Sequence, residues 1–182
     1  MQELETLQNA YLLVDDDKVK GYGLMDELSK IDLPESITVE DAKGGTVLPT
    51  WCDSHTHIVY AGSREGEFVD KIRGLSYAEI ARRGGGILNS ADQLHEMGED
   101  ELFEQAMVRV NEVISKGTGC IEIKSGYGLN TADELKMLRV IRRIGQSSAI
   151  QVVPTFLGAL HIACAKAVTT RGITHELVGN AF

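Results

Sequence analysis

No stretch of this sequence approaches the roughly 20 consecutive apolar residues that would cross a bilayer, and no basic cluster with interleaved aromatics is present. The net charge of −9 offers no general attraction to nucleic acid or anionic lipid. Residues Met1 to Thr6 include two Glu and neither Lys nor Arg, the reverse of a secretory signal's basic start and apolar core. Only three cysteines occur, Cys52, Cys120 and Cys164, widely separated. An odd, scattered set argues against a disulfide framework and for reduced thiols. Repeats, low-complexity tracts and long linkers are also missing. These absences predict a cytoplasmic protein without nucleic-acid or membrane partners. What is present suits a folded globular chain: 182 residues, 43% hydrophobic and 25% charged.

The chain changes style near Pro49. Before it, the apolar run Ala10 to Val14, the turn-forming Asp15-Asp16-Asp17 and the return Val19 to Tyr22 predict a β-hairpin. Ile37 to Glu40 and Thr46 to Leu48 read as further short strands. Residues 1–48 are therefore expected to form small antiparallel strands, a domain apart from 49–182. After Pro49, helical and β-rich segments alternate. Capping-box patterns, in which a Ser or Thr and a Glu or Gln three residues on satisfy each other's backbone donors, mark helix starts at Ser76/Glu79, Ser90/Gln93 and Thr131/Glu134. The longest helix should run from about Asp100 to Lys116, with Leu102, Phe103, Ala106, Val110, Val113 and Ile114 on one face and Gly117 ending it. Cys120 to Ile123 reads as a strand, Thr131 to Ile144 as a helix, and Ile150 to Leu157 as the next strand. Such alternation predicts parallel βα units of an α/β fold, in an open sheet or part of a barrel.

The segment Asp53-Ser54-His55-Thr56-His57 carries the strongest chemical signal. It follows a short apolar stretch and should end a strand, where side chains at i and i+2 share a side. His55 and His57 then present two imidazoles together, a donor pair suited to zinc or iron(II). His95 sits in a polar helical stretch and reads as a solvated side chain. Gly84-Gly85-Gly86 lacks the strand–GxxxxGK[ST]–helix setting of a phosphate loop, so phosphate binding is rejected.

The run Leu48-Pro49-Thr50-Trp51-Cys52-Asp53-Ser54-His55-Thr56-His57 resembles the opening motif of the amidohydrolase superfamily. Ala61 to Glu65, Gly84 to Ile87, Lys124 to Leu129 and Pro154 to Ala159 narrow the resemblance to the imidazolonepropionases, over about residues 8 to 159. That resemblance implies a (β/α)8 TIM barrel beside a small β-sandwich. The implied activity is hydrolysis of the cyclic amide of 4-imidazolone-5-propanoate to N-formimidoyl-L-glutamate, in histidine breakdown, with one zinc or iron ion as cofactor. His55 and His57 become metal ligands, and Arg64 and Tyr127 contacts to a small-molecule substrate. The roles are chemically sensible. Such an ion makes hydroxide available near neutral pH and polarises a carbonyl, and a guanidinium fork suits a carboxylate. Taken alone, Arg64 reads as a surface ion pair with Glu65 or Glu67, and Tyr127 as loop packing. Lys124 reads as a structural residue or a support to the site, because the family uses a single metal. Other cyclic-amide hydrolases or deaminases of the superfamily, and a non-catalytic remnant of the fold, are the alternatives.

The resemblance breaks in places. A complete (β/α)8 barrel takes about 250 residues, while 133 follow Pro49, room for three or four βα units. The family's later histidine and aspartate ligands are not found, and sandwich sequence preceding residue 1 is short. The family motif runs from Gly158-Ala159 straight into a substrate-contacting histidine. Here Leu160 intervenes and His161 follows, and a one-residue shift on a strand turns a side chain to the other face. After residue 159 the text diverges, and His175 reads as solvent-facing or capping. A shifted or truncated reading frame near residue 160 would account for the change. The expectation is a half-barrel with unpaired edges that favours self-association into homo-oligomers.

Overall fold

A computed structural model of the chain describes residues 6–157. Contacts divide the described residues into two units, one up to Pro49 and one from Thr50 onward. In the first, β1 (Ala10–Asp15) pairs antiparallel with β2 (Lys18–Leu24), and Asp15 lies opposite Lys18. The two linking residues, Asp16 and Asp17, both have positive φ, 48° and 57°, the left-handed pair that matches a tight hairpin's twist. A 3-10 helix, Met25–Lys30, follows. The two further strands expected here do not form: Ile37 to Glu40 and Thr46 to Leu48 join no ladder among the described residues. Val39 is 81% exposed and Val47 65%, so their β propensity has no apolar face to pack against.

The second unit alternates strands and helices. It runs β3 (Trp51–Thr56), α1 (Glu65–Ile72), α2 (Tyr77–Arg82), α3 (Ile87–Glu96), α4 (Glu99–Ser115), β4 (Thr118–Lys124), α5 (Thr131–Ser147) and β5 (Gln151–Thr155). The strands form one parallel sheet in the order β3-β4-β5. This is the α/β arrangement that the alternation predicted. Pro154, which has no N–H to give, lies in β5, an outer strand of the described sheet.

The core lies between the sheet and the helices. Leu102, Phe103, Ala106 and Val110 of α4 meet Met137, Val140, Ile141 and Ile144 of α5 and Ile121 and Ile123 of β4. The α4 residues recur at three-to-four spacing, so one stripe is apolar. The β4 pair are two apart and face the helices together. Each fully buried aliphatic side chain contributes about 1.5–3 kcal/mol of transfer free energy. Gly117, at φ 93°, turns the chain out of α4, and its carbonyl accepts the Trp51 N–H at 2.9 Å. One left-handed glycine thereby ends the helix and starts the β3–β4 ladder.

Two expected helix starts are corrected. Ser90 is buried inside α3, which begins after Gly86. The Gly86 N–H is instead met by Glu67 Oε1 at 2.8 Å. Thr131 is the first residue of α5 and not its cap: Asn130 Oδ1 accepts the Asp133 N–H at 2.9 Å, and Glu134 Oε1 turns to the Gly128 N–H at 2.8 Å. At α5 a better-placed acceptor takes the free donor; at α3 the helix starts earlier, so the Ser90 N–H is already bonded to the Gly86 carbonyl at 3.3 Å. The Ser76/Glu79 box does form, with Ser76 N to Glu79 Oε2 at 2.8 Å and Glu79 N to Ser76 Oγ at 3.3 Å. Asn130→Ala should therefore cost about 1 kcal/mol in urea unfolding, and Thr131→Ala clearly less. Equal costs would return the cap to Thr131.

Candidate functional site

Because β3 and β4 run parallel and hydrogen-bonded, their C-terminal ends lie together. His55 is the penultimate residue of β3, and His57 follows its last residue. Their rings are 5.8 Å apart between centroids, at 65°. His55 is exposed and His57 half-buried. The Tyr127 ring, in the loop after β4, lies 5.3 Å from that of His57. Among the described residues, buried His57 Nδ1 has no hydrogen-bond partner. Burial first, then the charges of His55 and Lys124, hold the His57 pKa below the ordinary imidazole value, against the opposing pull of Glu122. The neutral ring is the ligating form.

Two groups that sequence reasoning missed support this end of the sheet. Glu122 accepts the Thr56 N–H at 3.3 Å and pairs with Lys124, both side chains being mostly buried. Burial acts to raise the Glu122 pKa, but hydrogen bonds from Lys124, Thr155 and Thr56 outweigh it and keep the carboxyl below its usual range. The alternation of β4 was the available signal, since it puts Glu122 and Lys124 on one side. Lys124 is thus paired within its own strand. Arg109 of α4 donates to the carbonyls of Ile58 at 3.1 Å and Tyr60 at 3.0 Å, its guanidinium 3.6 Å from the Tyr60 ring centroid. It pins the segment leaving His57, and no motif announced it.

Arg64 stands at the N-terminus of α1 and pairs with Glu67, Nε to Oε2 at 3.0 Å, rather than with Glu65. That hydrogen bond raises its pKa, with smaller electrostatic contributions from Tyr127 and Tyr77. Through its other oxygen Glu67 holds the Gly86 N–H, joining Arg64 to the glycine loop. A groove of about 250 Å³ runs past Arg64, Glu67, Arg83 and Gly84, and neither His55 nor His57 lines it. The structure brings His55, His57 and Tyr127 together. His95 is elsewhere, its Nδ1 2.8 Å from Asp133 Oδ2, so it is exposed yet partnered. His161 lies outside the described residues. Among those residues no three His, Cys, Asp or Glu side chains gather as a metal-binding group. No described helix is long and apolar enough to cross a membrane.

No family model matches the chain. Curated proteins do. The imidazolonepropionase of Christiangramia forsetii is 55% identical over 159 residues, 87% of this chain and 38% of that protein. That of Flavobacterium johnsoniae is 54% identical over 159 residues, with the same coverage. Over that length the chain is similar to the imidazolonepropionases. The imidazolonepropionase of Shewanella woodyi is 45% identical over 151 residues, 83% of this chain and 37% of its own length. The chain thus spans just over a third of the length of the curated imidazolonepropionases it matches.

Proposed function

We propose that this chain is the N-terminal part of an imidazolonepropionase, an incomplete version of the hydrolase that opens the ring of 4-imidazolone-5-propanoate. In this reading the β3–β4–β5 sheet is the opening of a (β/α)8 barrel, and the β1–β2 hairpin belongs to a small β-sandwich. The observation that carries it is the His55–His57 pair at the C-terminal end of parallel strands, with Tyr127 against His57, where barrel enzymes keep their chemistry.

A zinc or iron(II) ion fits that pair. Both donors are imidazoles, and buried His57 Nδ1, which meets no partner among the described residues, is a polar atom suited to a ligand. His55 and His57 would hold the ion, with further ligands from outside the described residues. When bound, such an ion supplies Lewis acidity towards a ring carbonyl and makes hydroxide available near neutral pH. The chain's own residues bind and orient. Glu67 occupies one edge of the Arg64 guanidinium, which leaves other N–H groups free for the substrate propionate. Tyr127 offers a phenol beside the histidines.

Two protein ligands should hold zinc weakly, since catalytic zinc sites supply three. Calorimetric zinc titration is expected to show weak binding that His57→Ala abolishes. In the same cell, Arg64→Met should weaken 4-imidazolone-5-propanoate by roughly tenfold or more, the worth of one hydrogen bond to a charged group. Tight one-to-one zinc binding that survives His57→Ala would overturn the reading, and preference for dihydroorotate would point to another cyclic amidohydrolase.

A further inference from the structure

Cys52 and Cys120 are direct partners in the register of β3 and β4. Both are free thiols, Cys52 exposed and Cys120 half-buried. Neighbouring strands lie about 4.7–4.9 Å apart, within the Cα separation that a disulfide spans. Strand register thus sets the two side chains beside each other across the ladder, and the neighbouring Cys52 side chain, with burial, pushes the Cys120 pKa up. Cys52 is the second residue of β3, at the end of the sheet away from His57, so the pair is separate from the histidine site.

We propose that Cys52 and Cys120 form a reversible disulfide across the β3–β4 ladder when the chain meets a peroxide. Exposed Cys52 sulfur attacks one peroxide oxygen, the O–O bond breaks, and one water leaves, giving a Cys52 sulfenic acid. The Cys120 sulfur then attacks Cys52, the S–O bond breaks, and the Cys120 proton leaves with the hydroxyl as a second water. Two thiols lose two electrons and two protons, and one peroxide becomes two waters. A bond with one sulfur exposed to solvent belongs to the readily reduced class of disulfides. Nothing in the inference depends on the metal or the hydrolase reading.

The test oxidises the native chain with stoichiometric hydrogen peroxide, alkylates it with iodoacetamide and digests it without reduction for mass spectrometry. The expected product is a Cys52 peptide linked to a Cys120 peptide, lighter by two hydrogens and released by dithiothreitol. The link should persist in Cys164→Ser and vanish in Cys52→Ser. Separate alkylation of Cys52 and Cys120 after oxidation overturns the proposal, as does a link that maps to Cys164 or between two chains. Because the decisive sample is the unsubstituted chain, a variant that failed to fold would leave the result intact.

Discussion

Ile121→Ala is expected to destabilise the chain by about 2–5 kcal/mol, as deletion of a fully buried aliphatic side chain does. Ile121 is 0% exposed in the central strand β4, inside the cluster built by α4 and α5. Truncation loses transfer free energy and leaves a cavity lined by side chains already at close packing. β4 has a neighbour on each side, β3 and β5, so the site collapses poorly and the upper part of the range is expected. Urea unfolding checks it. The same change at Val108, 70% exposed on α4, should move stability by less than about 0.5 kcal/mol. Equal losses at the two positions would mean that α4 does not pack as described.

Asp133→Ala should cost about 3 kcal/mol. Asp133 is 5% exposed at the start of α5 and gathers three partners: Asn130 Nδ2 at 2.5 Å, His95 Nδ1 at 2.8 Å and Lys136 Nζ at 3.1 Å. Removing one member of a buried pair costs about 3–5 kcal/mol. The low end applies because Lys136 keeps the carbonyls of Leu94 and Met97. Burial by itself would raise the Asp133 pKa, but hydrogen bonds from Asn130, His95 and Lys136 overcome it and hold the folded value below the ordinary 3.8. A carboxylate depressed on folding contributes stability above its unfolded pKa and loses it as pH falls through the folded value. Stability of the unsubstituted chain should therefore decline below about pH 4, and Asp133→Ala should make that decline shallower. An unchanged acid slope would show that Asp133 is not held ionised by these partners.

Where local pattern and packing agree, the elements were legible. The α4 stripe from Leu102 to Val110, Gly117 as its stop, and the Asp16-Asp17 hairpin turn all rest on contacts within a few residues. Val39 and Val47 show the converse. Their β propensity is real, but a strand needs a partner, and the described residues provide none. Two of the three caps failed while Ser76/Glu79 held: Asn130 outcompeted Thr131, and α3 starts ahead of Ser90, after a Gly86 whose N–H is held by Glu67 from 19 positions away, a distance no local pattern encodes.

The candidate site divides in the same way. The sequence by itself determined that two imidazoles two residues apart end a strand, and that an arginine and a Gly-flanked tyrosine follow in order. These are matters of spacing along one chain. Only the tertiary structure decided that Tyr127 stands against His57, that Arg64 takes Glu67 rather than Glu65, that Arg109 holds the backbone after His57, and that Cys52 meets Cys120. Apart from the Arg64–Glu67 pair, which needs only the first turn of α1, those pairings depend on strand register and helix docking. Register belongs to the pair of strands that form the ladder and not to either strand alone.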